Sequence, residues 1–155
     1  MLKPLIALSV IAATTQPASA FMGLFEPTPP EVSVEYNERD CGALGGIKLT
    51  VTNPTDEPLA YFGTDIKVFR PESSRTAAQF GFGSDGVVPA KASYYFCTRI
   101  PQSQVEMTVA AMHPNMSLLD ISFTYGNPLS MPPSTYLTGA IFQVEVTSFK
   151  YGLPY

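Results

Sequence analysis

The fold is decided by Ile47-Lys48-Leu49-Thr50-Val51-Thr52, a run that is followed at once by Asn53-Pro54-Thr55-Asp56. Apolar and polar side chains alternate along the first six positions, which is the pattern of a β-strand with one face in a core and the other in solvent. The residues that follow are typical of a turn. The same pattern returns along the chain, so it predicts a protein of short strands joined by turns.

Alternation of this kind also occurs at 32–36, 62–68, 94–100, 105–111, 119–125 and 142–146, and we interpret 71–79 as a loop that runs into a further strand. Several short strands at close spacing are typical of a sandwich or barrel. The sequence therefore predicts an all-β fold, an antiparallel β-sandwich of seven or eight strands, in a single domain over residues 31–155. The chain has no Trp, so the Trp-packed disulfide of immunoglobulin domains is excluded and the architecture is immunoglobulin-like at most.

Residues 1–20 have the order of parts that a secretory signal peptide requires. A basic start at Lys3 precedes an apolar stretch over 5–13, and Ala18-Ser19-Ala20 offers a cleavage site of small residues. The apolar stretch is too short for a membrane-spanning helix. We therefore expect cleavage after Ala20, export to the periplasm or the cell exterior, and no transmembrane segment in the mature chain.

Residues 21–30 form a proline-rich lead-in to the domain. Prolines at 27, 29 and 30 exclude both a helix and a central strand, which leaves an extended segment. Its first part, Phe21 to Phe25, is mostly apolar. This part is expected either to dock onto the domain or to contact a partner, and the sequence leaves both roles open.

The two cysteines, Cys41 and Cys97, predict one disulfide bond. They are far apart in sequence, which favours a structural bridge over a redox pair of the C-x-x-C kind. Cys97 alternates with Phe96 along its strand, so its side chain is expected on the outer face, and Cys41 lies in a turn. The bridge is therefore expected to tie a loop to the outer side of a strand.

One stretch also carries a resemblance to known proteins. It contains Tyr36-Asn37-Glu38-Arg39-Asp40-Cys41, the turn at Asn53-Pro54, the pair Arg70-Pro71 and the segment from Ser93 to Cys97. Over about residues 36–101 the chain resembles small exported bacterial proteins with an immunoglobulin-like β-sandwich and no assigned function. This resemblance implies the sandwich and the bridge, and it implies no catalytic residue.

Charge and motifs argue against several classes of function. The chain has 9 basic and 13 acidic residues, and a net charge of −4 argues against a nucleic acid as partner. Residues 81–86 spell G-x-G-x-x-G, but Val87-Val88-Pro89 follows where a dinucleotide site needs a helix, so we expect a glycine-rich loop. The only histidine is His113, and no G-x-S-x-G frames a serine. We therefore expect no catalytic residues and no cofactor.

One cluster suggests metal chemistry. Met112, His113 and Met116 lie close together in sequence, and thioether and imidazole ligands suit Cu(I). Met107 is nearby, but the alternation of 105–111 places it on an inward strand position, where Met is a common core residue.

The sequence thus predicts a non-catalytic exported module of the cell envelope, with a binding or structural accessory role. Its partner is expected to be an envelope or extracellular protein. The alternative is a periplasmic copper-binding protein that uses Met112, His113 and Met116.

Overall fold

The computed structural model describes residues 26–153 of the chain. The expected signal peptide over 1–20 lies outside the described residues. So does the apolar segment from Phe21 to Phe25, and so its role stays a prediction.

Six strands form within the described range, and they make two antiparallel three-stranded sheets. The strands are β1 (Glu31–Tyr36), β2 (Ile47–Thr52), β3 (Leu59–Phe69), β4 (Thr76–Ser84), β5 (Ser93–Thr98) and β6 (Ile141–Tyr151). The strand order is β1-β2-β5 in one sheet and β4-β3-β6 in the other. The two antiparallel sheets agree with the prediction from the sequence. The strand count differs, because the sequence predicts seven or eight strands and the described residues form six.

The inner faces of the strands follow the alternation of the sequence. In β2 the side chains of Ile47, Leu49 and Val51 are fully buried, and the intervening residues are more exposed. In β3 the expected common face is confirmed, because every second residue from Phe62 to Val68 is buried. Period-two alternation therefore locates the inward face of both strands correctly.

Helices fill the long connection between β5 and β6, where the sequence predicts strands. The helices of the described range are α1 (Glu38–Cys41), α2 (Gln102–Met112), α3 (Leu118–Tyr125) and α4 (Ser134–Leu137), with 3₁₀ turns at Gly42–Leu44 and Pro128–Ser130. The strands predicted at 105–111 and 119–125 are therefore wrong. No helix within residues 26–153 has the length and apolar character needed to cross a membrane.

The burial pattern of α2 explains the first error. Val105, Thr108 and Val109 are buried, and a spacing of three and four residues is that of one helix face. The hydroxyl of Thr108 donates a hydrogen bond to the Gln104 carbonyl, 2.7 Å away, so this polar residue is satisfied inside the core. Met107 points outward with 62% of its surface exposed, so the expected inward position is wrong as well.

A capping box explains the second error. The Ser117 hydroxyl accepts a hydrogen bond from the Asp120 N–H, and the Asp120 carboxylate accepts one from the Ser117 N–H. Ser-x-x-Asp before an apolar run is a helix-start signal that is visible in the sequence. Gly126 follows the helix with a φ of +86°, a conformation that favours glycine. These end signals outweigh the period-two pattern, and Ile121 is the one buried residue of α3.

The glycine-rich segment also differs from its expected loop. Strand β4 continues to Ser84, so residues 81–84 belong to the sheet. Gly81 pairs with Asp65 and Gly83 pairs with Gly63 on the neighbouring strand. A dinucleotide site would need a loop at this position followed by a helix, and the structure has a strand there instead.

The core lies between the two sheets and continues beneath the helices. The ring centroids of Phe62 in β3 and Phe96 in β5 are 5.1 Å apart, so they join the two sheets directly. Phe82 packs beside both rings. The larger buried cluster contains residues from both sheets and from all of the later helices: Ile47, Leu49, Ile66, Val68, Ala78, Phe80, Ile100, Val105, Val109, Ile121, Met131, Tyr136 and Leu137. The helical connection therefore completes the core of a sandwich-like fold.

A pair of phenylalanine variants tests this packing. Phe62→Ala removes a side chain with no exposed surface, so we expect the free energy of unfolding to fall by about 3–5 kcal/mol. Phe123→Ala is the matched control, because Phe123 is 86% exposed, and its effect should stay below about 0.5 kcal/mol. Urea denaturation followed by circular dichroism measures both values. Equal losses in the two variants would contradict the assigned core.

Candidate functional site

A disulfide bond joins Cys41 to Cys97, with 5.4 Å between their Cα atoms. Cys41 is the last residue of α1 and is buried. Cys97 alternates with Phe96, whose side chain packs against the core, so the bridge lies on the outer side of β5. It ties a loop to the outer side of a strand, as the alternation predicts. Bonds of this kind persist in oxidising compartments.

Hydrogen bonds close the segment that carries Cys41. The Asn37 side chain accepts a hydrogen bond from the Asp40 N–H at 3.0 Å and so caps α1. The Asn37 N–H donates to the Gly46 carbonyl at 2.7 Å, and the Gly46 N–H donates to the Cys41 carbonyl at 2.8 Å. Residues 37–46, here named the disulfide loop, are therefore fixed at both ends and at the bridge.

An ion pair holds the disulfide loop against the outer face of β2. Lys48 bonds to the Asp40 carboxylate, and its ammonium group lies 4.8 Å from the centre of the Tyr95 ring. The hydrogen bond from Lys48 lowers the pKa of Asp40, and the same bond raises the pKa of Lys48. Both groups are thereby favoured in their charged forms at neutral pH.

Two consecutive glycines allow the loop to fit between its neighbours. Gly45 and Gly46 have φ angles of +107° and +79°, which L side chains rarely adopt. A Cβ atom at Gly45 would overlap the side chain of Arg99, and one at Gly46 would overlap the ring of Tyr36. The close approach of the disulfide loop to Arg99 therefore depends on glycine at position 45.

A cavity of about 410 Å³ lies beside the disulfide loop, and we name it the disulfide cavity. One wall is the loop itself, and the others come from the end of β5, the start of α2 and the segment before α4. Its lining residues are Gly42, Ala43, Gly45, Arg99, Ile100, Gln102, Val105, Leu129, Met131, Pro133 and Tyr136. This volume lies in the range of small-molecule sites, which are also concave and partly apolar.

Three polar side chains of the cavity are free to bind a ligand. Of the residues that the structure describes, Arg99 is the one charged residue in its lining, and none of them adds an acidic side chain to it. Among residues 26–153, Arg99 forms no salt bridge and the Gln102 carboxamide forms no hydrogen bond. Tyr136 is only 6% exposed, and its hydroxyl has no hydrogen-bond partner in that range. The cavity thus combines a free cation with two free neutral hydrogen-bonding groups.

The hydroxyl of Tyr136, a residue that lines this cavity, is not sealed from solvent. The Tyr36 hydroxyl is the one polar side-chain atom of the described residues that is both sealed from solvent and unpaired, so the unpaired Tyr136 hydroxyl is not sealed. Burial raises the pKa of Tyr136, and nearby Tyr36 adds to this effect. Burial also raises the pKa of Tyr36, and the Glu38 carboxylate contributes to that shift. The hydroxyl of Tyr136 is therefore neutral at physiological pH.

The start of α2 adds a second positive element. The N-cap of α2 is Pro101, which makes no side-chain cap, so the first N–H groups of the helix lack a capping side chain. The first helical residue, Gln102, lines the cavity together with Val105 one turn later. The positive end of the helix dipole therefore lies at the cavity wall beside Arg99.

The structure places Met112, His113 and Met116 at one corner of the helical connection. Met112 ends α2, His113 is its C-cap residue, and the Met116 N–H donates to the His113 carbonyl at 3.0 Å. Both methionine side chains pack against the core. The His113 ring lies beside the Tyr125 ring, with 5.7 Å between their centres.

The hydrogen bond of His113 fixes its tautomer. Its Nε2 lies 3.1 Å from the Thr135 carbonyl oxygen. A carbonyl oxygen only accepts hydrogen bonds, so we assign the proton to Nε2 and the lone pair to Nδ1. Within residues 26–153 no three His, Cys, Asp or Glu side chains are grouped for a metal ion.

Two further surface features stand apart from the disulfide cavity. A groove of about 680 Å³ between the β3–β4 turn and α2 is lined by Arg70, Ser73, Arg75, Met107, Ala110, Ala111 and Pro114. The outer side of α3 exposes Leu118, Leu119, Phe123 and Tyr125. Neither of these surfaces contains a polar side chain that is both buried and unpaired.

The sequence analysis does not identify the polar residues of the disulfide cavity as site residues. Tyr136 is far along the chain from Arg99 and Gln102, and the motifs that the sequence offers include none of the three. One signal was available, because Pro101 followed by Gln-Ser-Gln is compatible with a helix start. A helix at 102 would have placed its positive end beside Arg99.

Comparison of the chain with models of protein families, with curated proteins and with solved structures finds no match in any of the three. The resemblance of residues 36–101 to small exported bacterial proteins therefore stays a prediction. The residues of this chain carry every inference about its function.

The ion pair beside the bridge predicts a pH-dependent stability. The pKa of Asp40 lies below its ordinary value of 3.8 in the folded chain, so the stabilisation is present above that pH and is lost as the pH falls further. Lys48→Gln should lower Tm at pH 7, and its difference from the wild type should shrink below about pH 4. Thermal unfolding between pH 2 and pH 7 measures this difference.

Lys91→Gln is the matched control for this measurement. Lys91 pairs with Asp56 at 3.6 Å and donates to the Pro54 carbonyl at 2.7 Å, but its side chain is largely exposed, so its replacement should change Tm little at each pH. A constant Tm difference between Lys48→Gln and the wild type across the range would contradict the role of Asp40.

Proposed function

We propose that this chain is a non-catalytic binding module that is exported to the cell envelope or the cell exterior. The disulfide cavity is the single observation that carries the proposal. It is concave, its volume suits a small group, and Arg99 and Tyr136 bring unused hydrogen-bonding capacity to it. The partner is an envelope or extracellular protein that inserts a terminal or side-chain group.

We further propose that the two sheets have an immunoglobulin-like topology, which would support this role. Immunoglobulin sandwiches place strands A, B and E in one sheet and strands C and F in the other, and variable-type domains add C′ beside C. The orders β1-β2-β5 and β4-β3-β6 correspond to A-B-E and C′-C-F, and the helical connection stands between E and F. Domains of this architecture commonly serve recognition at cell surfaces, although fold alone does not assign function.

Export is supported by two independent features. The order of charged, apolar and small residues over 1–20 is that of a signal peptide. The Cys41–Cys97 bridge requires an oxidising compartment in most cells. A periplasmic or extracellular location satisfies both.

Site-specific photo-crosslinking in cells tests the binding role. Benzoylphenylalanine in place of Leu129, which is half exposed and lines the cavity, should capture a defined envelope protein. The same group in place of Thr147, an exposed residue of β6, is the control and should capture none. Arg99→Gln should reduce the capture at position 129. Equal capture from both positions, or none from 129, would contradict the proposal.

Copper binding is the second candidate, and the tautomer of His113 favours it. Histidine ligands of metals commonly donate their second ring N–H to a backbone carbonyl, as His113 does to Thr135. The Nδ1 lone pair is then available, and Met112 and Met116 lie on the same corner. Thioether and imidazole groups together suit Cu(I).

A competition titration with a Cu(I) chelator tests this candidate. His113→Ala should weaken Cu(I) binding by about tenfold or more, as expected for loss of one of a few ligands. Met107→Ala is the control, because this exposed methionine of α2 is no part of the corner and should leave the affinity unchanged. An affinity that is unchanged in His113→Ala would overturn the copper hypothesis.

A further inference from the structure

We propose that the disulfide cavity recognises a carboxylate that carries an apolar group, with Arg99 as its charged anchor. The proposal rests on the proposed binding function and names the chemistry that the site selects. Two sources share this chemistry, a free organic acid and the C-terminal carboxylate of a peptide that ends in an apolar residue.

The charge of the cavity selects an anion. Arg99 is its one charged lining residue, and it has no carboxylate partner within residues 26–153. The uncapped start of α2 brings N–H groups and the positive end of the helix dipole to the same wall. The chain as a whole is acidic, so this local positive site contrasts with the overall charge.

The Tyr136 hydroxyl is the independent sign of a ligand. A tyrosine that is 6% exposed ordinarily finds a hydrogen-bond partner for its hydroxyl, and this one has none among the described residues. The residue lines the cavity, and burial raises the pKa of its hydroxyl, so the neutral O–H is a donor for a carboxylate oxygen. A guanidinium and a phenol O–H are both donors that a carboxylate accepts, and both residues line this cavity.

The rest of the lining selects an apolar group beside the anion. Ile100, Val105 and Met131 are buried and present apolar surface to the cavity. Leu129 is half exposed and extends this surface towards solvent. A hydrophilic anion such as phosphate would leave this surface wet, whereas a branched aliphatic group would cover it.

Binding of three probes to the full mature chain tests the ligand class. The probes are 4-methylpentanoate, N-acetyl-glycyl-leucine and N-acetyl-glycyl-leucinamide, titrated by NMR chemical shifts of the protein. Both acids should shift the signals of Ile100 and Met131, and the amide should bind about tenfold more weakly because it lacks the charge. Tighter binding of the peptide acid assigns a protein C-terminus, and tighter binding of 4-methylpentanoate assigns a free acid.

Variants separate the anchor from general charge effects. Arg99→Gln should weaken both acids by about tenfold or more, and Tyr136→Phe by about threefold. Arg75→Gln is the matched control, because it removes one positive charge from the separate groove beside α2. Equal affinity for the acid and the amide, equal losses in Arg75→Gln and Arg99→Gln, or no shifts at the lining residues would each overturn the proposal.

The outcomes distinguish this inference from the proposed function. In one outcome, the Arg99→Gln variant loses crosslinking at position 129 while the wild type shows no preference for the acids over the amide. That result would support the proposed binding function and contradict carboxylate recognition. Preference for 4-methylpentanoate with no crosslinked protein would keep the carboxylate site and replace the protein partner by a small acid.

Discussion

Within residues 26–153, two sheets of three strands each must cover one another's apolar faces, and this constraint shapes the rest of that range. Phe62 and Phe96 meet across the sheets, while Leu59, Val51 and Val88 close one end of the interior. Ile47 and Ile66 belong to the larger cluster, to which the strands are not the only contributors. The connection between β5 and β6 folds as helices and adds Val109, Ile121 and Leu137 to that cluster. Burial of this apolar surface is the dominant favourable term in such a fold.

The candidate site follows from the same arrangement. Where a helical cover meets the end of a sheet, the two surfaces differ in shape and do not close completely. The disulfide cavity lies at this junction, between the end of β5, the start of α2 and the segment before α4. The Cys41–Cys97 bridge adds the remaining wall, because it fixes the disulfide loop beside Arg99. One covalent bond therefore serves both the stability of the fold and the shape of the site.

The disulfide loop also shows how local and long-range terms support each other. Asn37 caps α1 by a bond within the loop, whereas Lys48 holds Asp40 from a neighbouring strand. On a chain-entropy estimate, closing a loop as long as that between the cysteines contributes about 4 kcal/mol to stability. With both ends of the loop fixed, Gly45 and Gly46 can keep positive φ angles that bring the backbone against Arg99 and Tyr36.

Local pattern by itself determined the strands around residues 31–69, the buried faces of β2 and β3, and the pairing of Cys41 with Cys97. These features are accessible because alternation reports one-sided burial directly and two cysteines allow only one pair. The tertiary structure decided α2 and the site that it completes, whereas the capping box at the start of α3 is visible in the sequence. Val105 and Val109 fit both a strand and a helix of the right register, and only the surface that they cover distinguishes the two. Arg99, Gln102 and Tyr136 form a site because three separate elements meet at one junction, and no local pattern encodes such a meeting.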